Sequence, residues 1–409
     1  MTQPSTRPLR WALILALPFA LLPALAQADG VSVRYDAEAS PFPSNRFTVP
    51  DFGNATLRRV NLPKPDCKTR PSDCADFDVI NTLDGFSTQP RITVPFTGDI
   101  DPASVNSESI YLVNLGDVLT LRGFGQKVGI NQVVWDPETK TLAFESDELL
   151  QERSRYLVVV TNAVRDAQGK KLKSADFLGR GDAHQRELRD ALPVARGGGA
   201  RNVVAASLFT TQSTTGDLLK IQRRIKASTP APADFMVGNG GAVRALFPVA
   251  DLAGIQFKRQ TGAAPVFTES FLPTPALQVV AGAVGHVAYG RYSSPEYQTE
   301  DKVIPATATL TGTPQPQGNQ QLVFQLFLPS SPKPAGGWPV AIFGHGFTDS
   351  MYGAPWTVAS VFASQGIATL SINVVGHGGG AQGVLNVLPK AGAPVHEGGR
   401  VAALSVHAG

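Results

Sequence analysis

Between residues 90 and 169 the chain alternates apolar and polar positions in short runs separated by turn residues. In RITVPFTG, Ile92, Val94 and Phe96 fall on one side of an extended segment, the two-residue period of a half-buried strand. DIDPASVNSESIYLV passes through Asp101-Pro102 into Ile110 and Leu112, and NQVVWDPETKTLAFES repeats the scheme with Asp136-Pro137 between two strand candidates. A further apolar run, Tyr156 to Thr161, leads to a turn at Asp166 to Gly169. Strands this short and this evenly spaced predict a β-sandwich.

From residue 176 to 235 the period changes. DFLGRGDAHQRELRDAL and TTGDLLKIQRRIKAS have helix-compatible spacing on either side of Gly197 to Gly199, a flexible break. In the second, Leu218, Leu219, Ile221, Gln222 and Ile225 form a stripe facing a core, and Lys220, Arg223, Arg224 and Lys226 read as the solvated face. His184, in the first, is assigned no role. ASTPAPADF marks a linker. Beyond it, ALQVVAGAVGHVAYGRYSSPEY and VIPATATLTGTPQPQGNQQLVFQLFLP read as successive strands, with PQPQGN looping between two antiparallel arms. Leu322, Phe324, Leu326 and Leu328 share a face, and His286 reads as a packed or edge histidine.

WPVAIFGHGF is a buried-strand pattern that ends in glycine. A helix follows, with Pro355 at its start, Val358, Val361 and Phe362 on one side and Gly366 past its end. IATLSINVVGHGGG is a second apolar strand with a glycine-rich exit. Strand, helix and strand make a βαβ unit, which requires parallel pairing and a right-handed crossover. Ligands of open α/β sheets bind beyond the carboxyl ends of strands, where both Gly-His-Gly turns fall.

At 409 residues and 43% hydrophobic, the chain can fill two or three packed domains. A formal charge of +3 from dispersed basic residues excludes the footprint of a nucleic-acid binder. The first 28 residues read as an export signal: Arg7 and Arg10, the apolar WALILALPFALLPALA, and Ala26-Gln27-Ala28 before a mature start at Asp29. That run is shorter than the roughly 20 residues a span needs and carries Pro18 and Pro23. No cysteine follows it for lipid attachment, so no integral membrane span and a periplasmic or extracellular address are expected. Cys67 and Cys74 bracket KTRPSD, whose Pro and Asp favour a tight turn, and in an oxidising compartment they are expected to pair. A zinc site would want two more ligands, so no metal is expected there.

An acyl-transfer enzyme needs backbone N–H groups aimed at a developing oxyanion, and a glycine-rich turn after a strand lets the main chain approach that closely. Gly346 and Phe347 are the candidate donors.

NTLDGFSTQP, VPFTGDIDPASVNSESIYLV and ERSRYLVVVTNAVRDAQG resemble the Ig-like N-terminal domain of bacterial secreted lipases of the virulence-factor type. PKPAGGWPVAIFGHGF and VASVFASQGIATLSINVVGHGGG resemble the α/β-hydrolase part of the same family, so the likeness runs over roughly residues 80 to 385. The resemblance implies a multidomain chain: a signal peptide over 1–28, an all-β Ig-like sandwich within 29–175, a helical connector over 176–235 and an incomplete α/β-hydrolase domain over 236–409. It implies a secreted carboxylic ester hydrolase that acts on ester or lipid substrates without a cofactor. Phe347 N–H would be one arm of the oxyanion hole, His345 a structural turn residue, and His377 would lie in a nearby loop.

The family's nucleophile elbow, G-x-S-x-G, is absent. Ser364 in FASQG and Ser405 in ALSVHAG lack the preceding glycine, and Ser364 fits the crossover helix. Past Val387 the resemblance stops and no further sheet strands are expected, as in a truncated or frame-shifted copy. The catalytic set is therefore incomplete and no turnover is expected. Gly376, Gly378 and Ala381 fit a dinucleotide fingerprint with Glu397 downstream, but that motif needs a continuing βαβ unit. His345, His377, His396 and His407 lack the spacing of a metal motif. Three classes remain: the ester hydrolase, an exported Ig-like binding or adhesion module, and a non-functional fragment with an unpaired sheet edge.

Overall fold

A computed structural model describes residues 30–36, 39–178, 183–197, 202–262 and 266–398. The expected export signal, Ser405 and His407 lie outside the described residues. The chain divides into two compact units, residues 1–51 with 56–212, and residues 52–55 with 213–409.

The first unit contains β1 (Thr48–Pro50), β2 (Arg58–Val60), α1 (Pro71–Ile80), β3 (Ile92–Pro95), β4 (Ile110–Asp117), β5 (Lys127–Val128), β6 (Ile130–Asp136), β7 (Thr141–Ser146), β8 (Ser154–Thr161), α2 (Ala183–Gly197) and β9 (Val203–Thr210). Two antiparallel sheets, β3-β7-β6 and β5-β4-β8-β9, face each other. Alternate residues meet between them: Ile92, Val94, Leu142 and Phe144 from one sheet, Ile110, Leu112, Tyr156, Val158 and Phe209 from the other. The remaining positions of β4, β8 and β9, among them Tyr111, Val113, Leu157, Val159 and Leu208, pack under Leu188, Ala191 and Leu192 of α2. Covering both faces explains why YLVVVT is a continuous apolar run, since each face of its strand needs apolar side chains.

The stretch expected as a helical connector divides accordingly. α2 is a cover for the sandwich, and β9, which was not anticipated, completes its second sheet by pairing with β8. α1 was also not anticipated: Pro71 starts a helix where a tight turn was expected, because a proline at the first helical position forfeits no hydrogen bond.

The second unit contains α3 (Gly216–Ala227), β10 (Met236–Gly238), β11 (Val243–Arg244), β12 (Leu246–Pro248), β13 (Leu252–Gly262), β14 (Val266–Pro273), β15 (Val284–Glu296), β16 (Gly318–Pro329), β17 (Val340–Phe343), α4 (Pro355–Ser364), β18 (Ala368–Ile372), β19 (Val384–Pro389) and β20 (Val395–Gly398). A five-stranded sheet runs β12-β15-β16-β18-β17, antiparallel except for the β17–β18 pair. α4 links that parallel pair and packs on the sheet, with Trp356 edge-on to Phe327 and its Nε1 donating to Gln325 Oε1 at 3.1 Å. A second sheet runs β14-β13-β19-β20.

Three expectations need correction here. The antiparallel partner of β16 is β15, so Pro314 to Gln317 end a long connection while Gly318 and Asn319 already open β16; Pro305, Pro314 and Pro316 keep the preceding stretch out of any ladder. The segment beyond Val387 does form strands: β19 and β20 pair antiparallel and join β13. In α3 the faces are exchanged. Leu218, Leu219 and Ile225 are exposed, while Lys220 Nζ donates to the carbonyls of Thr309 and Gly312 at 2.7 and 2.8 Å and Arg224 donates to Gln315 Oε1. The loop over 309–315 presents carbonyl acceptors, which only the basic face can satisfy.

Candidate functional site

The two Gly-His-Gly turns lie side by side at the carboxyl ends of β17 and β18, as parallel pairing dictates. His345 is buried; its Nε2 accepts the Val374 N–H at 3.1 Å and its Nδ1 donates to the Gly346 carbonyl at 3.0 Å. His377 mirrors it, with Nε2 accepting the Thr348 N–H at 3.2 Å and Nδ1 donating to the Val375 carbonyl at 3.1 Å. A nitrogen that accepts an amide proton carries none itself, so this bonding pattern goes with the tautomer that has its proton on Nδ1. The rings lie 5.0 Å apart, and Phe347, 90% exposed, stands edge-on to His377.

All four ring nitrogens are therefore committed to backbone, and neither histidine is bonded to a serine hydroxyl among the described residues. Ser364 donates to the Val361 carbonyl within α4. The N–H groups of Gly346 and Phe347 have no acceptor among the described residues, so they can receive an oxygen atom. The dinucleotide reading gains no support: Gly380 to Gln382 is a single turn leading into antiparallel β19, where that motif needs a long helix. Among the described residues no cluster of His, Cys, Asp or Glu could hold a metal. Cys67 and Cys74 form a disulfide that fastens the start of α1, remote in sequence from these turns.

A second site was missed in the sequence. The β4–β5 connection, residues 118–126, exposes Leu119, Leu121 and Phe124 at 47%, 57% and 58%. This loop is braced from beneath. Asp117 Oδ1 accepts from Leu119 N–H, Thr120 N–H and the Thr120 hydroxyl at 3.0, 2.8 and 3.0 Å, and Arg153 pairs with Oδ2 at 3.1 Å. Burial pushes the Asp117 carboxyl up, but those hydrogen bonds and the Arg153 charge outweigh it and hold it below its ordinary range. Asn114, fully buried, takes Gly116 N–H on its side-chain oxygen and Gly125 N–H on its carbonyl, and donates to Tyr156 Oη. Gly116 has φ +91, and a Cβ there would meet the Leu121 backbone at 2.8 Å, so only glycine closes the loop base. The run VLTLRGFG carried the signal: three large apolar residues spaced by glycine and a charge cannot all be core in so short a turn.

The bacterial Ig-like domain family matches residues 74–177, which span this loop and most of the sandwich. No curated protein matches the chain. Among solved structures it is similar to the S-layer protein rSbsC(31-844), at 11% identity and a TM-score of 0.20 over 64% of this chain and 35% of that one. The N-terminal part of the S-layer protein SbsC gives 13% identity and a TM-score of 0.19 over 65% and 45%. The chain thus spans less than half of either relative, and overlaps this loose carry no argument. Among the described residues no helix is long and apolar enough to cross a membrane.

Proposed function

We propose that this chain is an exported binding or adhesion module whose Ig-like sandwich presents the 118–126 loop to an apolar surface of another macromolecule. One observation carries the reading: Leu119, Leu121 and Phe124 are held out in solvent by a buried polar network that keeps them from collapsing inward. A rigid loop loses little conformational freedom on binding, so its exposed apolar area is available as affinity. Export, to the periplasm or beyond, is supported by the charged and apolar leader pattern and by the Cys67–Cys74 disulfide. The test compares sedimentation of the wild-type chain and a Leu119→Ser/Leu121→Ser/Phe124→Ser variant with isolated bacterial envelopes. The variant is expected to bind at least about tenfold more weakly at an unchanged Tm, since three anchors are removed. Equal binding by both defeats the reading.

A second reading concerns the other unit. The strand order β15-β16-β18-β17, with an antiparallel hairpin ahead of a parallel pair and free N–H groups at Gly346 and Phe347, favours kinship with the α/β-hydrolase sheet of secreted lipases. In an intact relative those donors would hold the oxyanion of an ester or lipid substrate. The sequence carries no G-x-S-x-G, and among the described residues no serine hydroxyl is bonded to His345 or His377, so purified protein is expected to hydrolyse short and long p-nitrophenyl esters no faster than the buffer blank.

A further inference from the structure

α1 takes no part in the packing that holds the sandwich together. Of its ten residues, all described, Cys74 alone is buried, and none belongs to the apolar clusters between the sheets or under α2. Val79 is 67% exposed, and Ala75, Asp76, Asp78 and Ile80 also face solvent. Isolated helices shorter than about 12 residues are marginal in water. Asp78 sits at the negative pole of this one, whose last turn carries no basic residue. The ion pairs Lys64–Asp78 and Arg70–Asp73 lie on the surface, where such pairs contribute little.

Two features remain to hold the helix. At its base, Asn81 Oδ1 accepts the Leu62 N–H at 2.7 Å, Asn81 Nδ2 donates to the Leu62 carbonyl at 3.1 Å, and the Val60 N–H donates to the Leu83 carbonyl at 2.8 Å. Leu62 itself packs on the sandwich core, so residues 63 to 80 are an excursion pinned at both ends. Within it, the Cys67–Cys74 bond ties the turn over Asp66, whose carbonyl takes the Thr69 and Arg70 N–H groups, to the first turn of α1. That first turn is the costly step of helix formation, because several dihedrals are fixed for one hydrogen bond.

We infer that the Cys67–Cys74 bond is a redox switch that sets α1: a helix while the bond is closed, an open strap between Leu62 and Asn81 once it is reduced. Cys67 is exposed and Cys74 only 6% so, which makes Cys67 the point of entry for a dithiol. The dithiol's thiolate attacks Cys67 Sγ and expels Cys74 as a thiolate. Its second sulfur then attacks the first, closes a cyclic disulfide and expels Cys67. Two electrons pass from the dithiol to the bridge, and each cysteine takes up one proton. The sheets stay in place, because the Leu62–Asn81 and Val60–Leu83 contacts close the chain below the strap.

The test is pulsed amide exchange of the full chain, read on peptides covering residues 63–80 and β8, with and without dithiothreitol, the free thiols being counted by alkylation. In a pulse that leaves β8 unlabelled in both states, α1 is expected to take up label about thirtyfold faster once reduced, the loop-closure contribution of so short a bridge expressed as an equilibrium constant. Removing the reductant in air is expected to restore protection. A Cys67→Ser/Cys74→Ser variant is expected to label like the reduced protein whether or not dithiothreitol is present. Slow labelling of α1 in that variant, or after complete reduction of the wild type, overturns the inference, because the helix then holds itself. So does labelling of β8 on reduction, which makes the bridge a brace of the whole unit, and so does a bridge that dithiothreitol opens only in denaturant.

Discussion

His345 and His377 clasp each other's turns: His345 takes the amide proton of Val374 beside His377, and His377 takes that of Thr348 beside His345. The pair fastens the carboxyl ends of β17 and β18 where the ladder itself has stopped. Replacing His345 by Ala leaves the Val374 N–H without its acceptor, a loss of about 1 kcal/mol. Its hydrogen exchange is expected to speed up roughly fivefold while exchange in the sandwich is unchanged. Equal rates in wild type and variant would remove the clasp.

Asp117 holds the base of the apolar loop with a carboxyl kept below its ordinary range. A carboxyl depressed in the folded state stabilises it above the unfolded carboxylate range, and that contribution is lost as pH falls through the folded value. Urea midpoints of wild type are therefore expected to drop between pH 6 and pH 2, round values of about that span, more steeply than those of Asp117→Asn. At neutral pH Asp117→Ala should cost about 2 kcal/mol, because several donors lose one acceptor. Parallel pH profiles for wild type and Asp117→Asn would contradict this.

Leu112 is fully buried between the two sandwich sheets. Its truncation to Ala leaves a cavity that the close-packed strands cannot close, at about 3 to 5 kcal/mol. Denaturant unfolding of the first unit reads this directly, and a loss below about 1 kcal/mol would mean the core is loosely packed.

The Cys67–Cys74 disulfide closes a short loop onto the first turn of α1. Loops of this length contribute about 2 kcal/mol by restricting the unfolded chain. Reduction is expected to lower the unfolding free energy by that amount, read as a lower urea midpoint, without changing the sandwich's circular dichroism, and an unchanged midpoint counts against this contribution.

Local chemistry was legible wherever period and turn residues spoke alone. The strands at Ile92, Ile110, Thr141 and Tyr156, the βαβ unit around Pro355, and the absence of G-x-S-x-G could all be read directly from residue order. What covers what could not. α3 has a clear apolar stripe, yet its Lys220 face docks because carbonyls of a distant loop happen to lie there. β9 and β19 became strands because β8 and β13 offered them an edge, a partner set by contacts far along the chain. The 118–126 loop had the composition of a turn, and only Asn114, Asp117 and Tyr156, brought beneath it by the sandwich, turned its leucines and Phe124 outward as a surface. Periodicity reports which residues seek burial; tertiary contact decides which of them find it, because partners for backbone edges and buried polar groups come from residues remote in sequence.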